Sequence, residues 1–156
     1  MRMTAILRLR KDLALDLPSP RWPAGTHLVP LSQTDPRALH AILVDAYANG
    51  FGIVPAFDAW WPSLTADSEF DSALVFIPAT TNGLPIGVAQ CWTTGFIKDF
   101  AVVPDWRGKG IGDALLQEVF TTFRQRGLLH VDLKVVAANE PALRLYRRAG
   151  MAEAPL

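Results

Sequence analysis

The stretch VVPDWRGKGIGDALL, residues 102–116, carries the clearest chemistry in the chain: an apolar run breaks into three glycines and two cations, then resumes with helical spacing. A strand that ends in a glycine-rich loop and enters a helix aims backbone N–H groups and the positive end of the helix dipole at one point. Such a point suits an anion, often a phosphate. Gly108, Gly110 and Gly112 allow close backbone approach and positive φ, while Arg107 and Lys109 offer charge-assisted contacts to phosphate oxygens. A P-loop ends in Gly-Lys-Ser/Thr, whereas Gly110 leads into Ile111 with no hydroxyl for magnesium. A dinucleotide fingerprint counted from Gly108 needs glycine where Asp113 stands. A tight strand-to-helix turn without any ligand stays open on these residues alone.

Other reactive side chains are scattered. His27, His40 and His130 lie far apart, with no HExxH or Cys-His spacing, so no metal site is expected. The only cysteine, Cys91, cannot form an internal disulfide and reads as a buried strand residue. A reducing compartment agrees with that, and the cytoplasm is the expected location. With 15 Lys plus Arg against 15 Asp plus Glu there is no net field for nucleic acid or an anionic membrane, and neither is expected as a partner. The early stretch AILRLRKDLALDL is broken by Arg8, Arg10, Lys11, Asp12 and Asp16, unlike a signal peptide's apolar segment. No run approaches the roughly 20 apolar residues of a membrane span.

The elements that must position the glycine loop follow from periodicity. The 156 residues suit one domain with a hydrophobic core of its own. Pro18, Pro20 and Pro23 deny helix to residues 1–25, which read as an extended arm or an edge strand. A short strand over Thr26 to Leu31 precedes Asp35 and Pro36, an N-cap and first helical residue, and Leu39, Ile42, Leu43, Ala46 and Tyr47 form one apolar stripe. A short helix is expected around Phe57 to Trp61. Strands over 73–77, 86–92 and 96–103 have short turn-rich connections, which predict an antiparallel meander.

After the loop, Leu115, Val119, Phe120 and Phe123 predict a helix over about 112–126. Leu129, Val131, Leu133 and Val135 alternate with polar residues as a strand with one dry face. Asn139 then caps a last helix whose Ala142, Leu145, Tyr146 and Ala149 share a face. The order makes a mixed α/β layer fold.

NEPALRLYRRAGM, taken with VVPDWRGKGIGDALL, resembles the GNAT superfamily of N-acetyltransferases. Arg107, Gly110 and Gly112 match its Arg/Gln-x-x-Gly-x-Gly/Ala block, preceded by the common V-x-P at Val102, Val103 and Pro104. Asn139, Ala142, Leu145, Tyr146 and Gly150 match its Asn-x-x-Ala-x-x-Leu-Tyr-x-x-x-Gly block. The resemblance spans residues 26–156, an acetyltransferase domain after the 1–25 extension. It implies a mainly antiparallel central sheet with helices on both faces.

The resemblance further implies that acetyl-CoA is the anion, its pyrophosphate on the N–H groups of residues 107–113 and its pantetheine arm along Phe100, Ala101 and Val102. The Val102 N–H would hold the oxyanion formed as an amine attacks the thioester. Tyr146 would be the acid at the departing thiolate, and Asn139 would touch the cofactor arm as well as cap its helix. The acceptor would be a primary amine of a small molecule or peptide, bordered by Phe51, Phe57, Trp60 and Trp61. A non-catalytic acyl-CoA-binding module is the alternative.

Two features depart from the family pattern. Some members carry glutamate five residues before the motif asparagine, where this chain has Lys134; Asp99 or water is then left as base. Only six residues follow Gly150, too few for the usual two strands. The resemblance then implies that the acceptor-site wall usually built by those strands is replaced, either by a partner subunit, in a homodimer, or by the proline-rich arm.

Overall fold

Asp35 begins the first helix as its position implies: its carboxylate accepts from the Arg37 N–H at 2.9 Å, with Pro36 in the first helical turn. The computed structural model describes residues 5–48 and 50–156. Its strands are β1 (Ile6–Asp12), β2 (Thr26–Val29), β3 (Val75–Thr80), β4 (Gly87–Trp92), β5 (Phe96–Val102), β6 (His130–Val136) and β7 (Ala152–Ala154). Its helices are α1 (Pro36–Ala46), α2 (Phe57–Ala66), α3 (Ile111–Gln125) and α4 (Glu140–Arg148). Among the described residues no helix is long and apolar enough to cross a membrane.

The strands form one sheet in the order β2-β3-β4-β5-β6-β1-β7. Every pairing is antiparallel except β5 with β6. Helices cover both faces. Leu115, Val119, Phe120 and Phe123 of α3, with Leu143 and Tyr146 of α4, pack on Leu9, Val131, Leu133 and Val135. Leu39 and Leu43 of α1, with Trp60 and Leu64 of α2, pack on Ile77, Val88 and Ala101. β3, β4 and β5 alternate between these two apolar layers, which pins their register, because a one-residue slip would exchange their two faces.

Three expectations change. The arm is neither an edge strand nor separate from the sheet, since β1 lies between β6 and β7, with Ile6 opposite Val136 and Asp12 opposite His130. It pairs with β6 on one side and with β7 on the other. The second helix runs on to Ala66 through Pro62, which costs one backbone hydrogen bond on an exposed face while Trp60 and Leu64 stay buried. Residues Ser72–Leu74 form a 3₁₀ turn capped by Asp71, so β3 starts later than the apolar run does.

Candidate active site

β5 and β6 pair only at Phe96 with Asp132 and Ile97 with Leu133. On its other side β5 meets β4 with Asp99 opposite Gln90 but Ile97 opposite Cys91, which leaves Lys98 as an extra residue. Such a bulge bends its strand and sharpens the twist, so β5 leaves β6 from Lys98 onward. The gap opens into a cavity of about 800 Å³ that reaches from Lys98 and Lys134 to the glycine loop. The Val103 N–H donates to the Ile86 carbonyl at 2.9 Å. By antiparallel alternation Ala101 also faces β4, while Phe100 and Val102 turn their backbone groups toward the gap. There the Val102 carbonyl accepts from Arg107 Nε at 2.9 Å, which ties the loop to the strand end.

In the loop Gly108 has φ +73° and Gly110 φ +92°, conformations that L side chains rarely adopt. Gly110 is the N-cap of α3 and brings no side-chain acceptor, so the first-turn N–H groups of Ile111, Gly112 and Asp113 stay available. At Gly112 a Cβ would stand 3.0 Å from Leu145 Cδ2, so the missing side chain lets α3 close on α4. Arg148 clamps the two helices across the mouth, its Nε and Nη2 reaching the Asp113 carboxylate at 2.9 and 3.1 Å. Lys109 departs from expectation: its Nζ sits 5.1 Å above the Trp106 ring, and Trp106 rather than Lys109 lines the cavity. Ile111 is a core residue with only its backbone to offer.

Tyr146 projects from α4 into the gap and meets the Phe100 ring edge-on at 5.8 Å. Burial pushes its phenol well above the ordinary value, which keeps it protonated and able to donate. Asn139 caps α4, accepting from the Ala142 N–H at 3.4 Å, and also lines the cavity. Of the four aromatics expected at the acceptor border only Phe51 does so. Trp60 is buried in the core beneath α1 and α2, with Phe57 and Trp61 packed against it.

Sequence reasoning missed Tyr47, which follows α1 and lines the same cavity. Its hydroxyl donates to Asp99 Oδ1 at 2.9 Å, and Lys98 Nζ meets Asp99 Oδ2 at 3.1 Å. Burial first, then the Asp99 charge, push the Tyr47 phenol far upward, so it remains a donor. Both Asp99 oxygens are thus engaged. Tyr47→Phe strips one donor from a buried carboxylate and should cost about 1.5–3 kcal/mol, read as a lower urea midpoint with unchanged slope. A midpoint equal to the parent's would mean that the bond adds nothing to stability.

Comparison with known proteins fits this geometry. The model of the Acetyltransferase (GNAT) family matches residues 37–151. Streptothricin acetyltransferase of Streptomyces lavendulae is 45% identical over 92 residues, covering 56% of this chain and 49% of the relative. Mycothiol acetyltransferase of Propionibacterium freudenreichii is 30% identical over 160 residues, covering 91% of this chain and 50% of the relative. The chain therefore spans about half the length of these two curated relatives. Among solved structures, a GCN5-related N-acetyltransferase from Sphaerobacter thermophilus superposes with a TM-score of 0.78 at 31% identity, over 96% of this chain and 48% of that one. Matched family model, fold and site lead to one conclusion: this chain belongs to the GNAT family of acetyltransferases.

Proposed function

We propose that the chain transfers an acetyl group from acetyl-CoA to a primary amine of a small molecule or peptide by direct attack. One observation carries this reading: the donor-rich start of α3, the backbone edge of β5 and the Tyr146 phenol open into a single cavity. Residues 107–113 suit a pyrophosphate because their glycines and unpaired first-turn N–H groups form a charge-complementary cradle. Phe100 and Val102 have the spacing of a strand edge, which suits the amides of a pantetheine arm. Acetyl-CoA supplies the activated acyl group when bound.

The chain's own groups then divide the work. The Val102 N–H faces the gap and can hold the oxyanion that develops on the acetyl carbonyl as the amine adds. Tyr146, held above the usual phenol value, serves less as a strong acid than as a hydrogen-bond donor to the sulfur as the C–S bond breaks, and the expelled thiolate takes the proton that the attacking nitrogen gives up. Asp99 is occupied by Tyr47 and Lys98, so the proton of the incoming ammonium leaves to water. That occupied carboxylate also favours a second reading, a non-catalytic acyl-CoA-binding module. Turnover with an amine panel separates the two.

Calorimetry with coenzyme A, ATP and NAD is the test: only the first should bind in the micromolar range. Arg107→Glu sets a negative charge beside the cradle and should weaken coenzyme A about tenfold. Unchanged affinity in that variant, or ATP bound equally well, would remove the cradle assignment.

A further inference from the structure

On the sheet face occupied by α1 and α2, these helices reach only as far as β5, and among the described residues no helix covers β6, β1 and β7 there. The register sets Arg8 opposite Lys134 and Arg10 opposite Asp132 on this bare shelf, because Leu9, Leu133 and Val135 enter the core on the other side. Asp132 is buried and accepts from Arg8 Nη1 at 2.7 Å and from Arg10 Nε and Nη2 at 2.8 and 2.9 Å. One carboxylate thus serves two guanidinium groups. Lys134 is exposed, lines the cavity and has no ion-pair partner among the described residues, while Lys98, which lines the same cavity, is paired with Asp99. Among the described residues the only carboxylate lining the cavity is Asp113, at the opposite end and already paired with Arg148.

Cations directly opposite one another on paired strands repel, and Asp132, shared between Arg8 and Arg10, leaves Lys134 without an anionic partner among the described residues. An ammonium arriving alone would add to that repulsion, and a polyamine would meet only carboxylates that are already paired. Resting on the acetyl-transfer reading, we infer that the acceptor is a primary amine bearing an anionic group, a carboxylate or a phosphate, which Lys134 and Arg8 hold on the shelf beside β6. Lys134 then orients the acceptor from β6, and the ligand's negative charge offsets the excess positive charge.

The test is acetyl transfer to matched pairs: alanine against alaninamide, O-phosphoethanolamine against ethanolamine, with spermidine as the polycation. The anionic member of at least one pair should have kcat/KM at least about tenfold above its neutral partner, chiefly through KM. The pair with the larger ratio distinguishes carboxylate from phosphate. Lys134→Glu should abolish that preference, and Lys134→Arg should keep it. Preference for spermidine or the neutral partners, no turnover of either anionic member, or a preference that survives Lys134→Glu would overturn the inference. Coenzyme A calorimetry on the unmodified chain keeps the two failures apart. Coenzyme A bound without anion preference sinks this inference alone, whereas no binding sinks the acetyl-transfer reading and this inference with it.

Discussion

Tyr146→Phe should lower kcat about 100-fold or more while coenzyme A affinity stays within about twofold of the parent value. The variant keeps the ring that packs on Phe100 and removes only the hydroxyl, so folding and the cavity wall are preserved. What is lost is the donor at the sulfur when negative charge builds there, an interaction stronger in the transition state than in the ground state. The sign of the pH dependence follows from burial. A phenol pushed above its ordinary value stays protonated through neutral pH, so no basic limb belonging to Tyr146 should appear below about pH 9. A Tyr146→Phe enzyme with unaltered kcat would end its assignment as the donor.

Gly110→Val should weaken coenzyme A binding about 100-fold, the equivalent of losing two well-made donors in the cradle. At φ +92° a β-branched side chain is strained, and the left-handed region alone costs about 1–2 kcal/mol for an L residue. The loop relieves that strain by turning Gly110 toward negative φ, which swings the N–H groups of residues 111–113 off their common point. Gly83→Val is the control, since Gly83 has φ +84° in the β3–β4 connection, away from the cavity. Equal loss of binding in both variants would show that lowered stability, and not the cradle, explains the effect.

How much could be read beforehand depended on whether the signal was local. Asp35 with Pro36, the stripe of α1 and the capping of α4 by Asn139 are written within a few residues, and the structure places these elements as expected. The two motif blocks likewise lie in short windows. The bulge at Lys98 does not, because an extra residue exists only relative to the partner strand, and β4 had to be paired before it could be seen. Tyr47 looked like one more residue on an apolar stripe, since the carboxylate that gives its hydroxyl a purpose lies on β5. Lys109 was assigned to the anion by charge alone, but the nearby Trp106 ring offers a cation–π contact. Arg148 was invisible as a clamp because its partner Asp113 sits on another helix.

β1 shows the same limit. Leu7 and Leu9 alternate with Arg8 and Arg10, a strand pattern in plain view, yet the prolines that follow made the whole arm look like an appendage. Its partner, β6, comes more than a hundred residues later.

That separation has a consequence for how the molecule assembles. The sheet cannot close until β6 exists, so β1 is among the last elements to gain a fixed place, a long-range pairing of the kind that slows folding. Through that interval an apolar-alternating strand stays unpaired and open to association with other chains. Arg8 and Arg10 give it a doubly positive flank while Asp132 is still distant, and charges on a waiting strand are what hold such edges apart. The guanidinium groups that lie on the finished shelf thus protect the strand beforehand, and Asp132 neutralises part of their charge only once the sheet is complete.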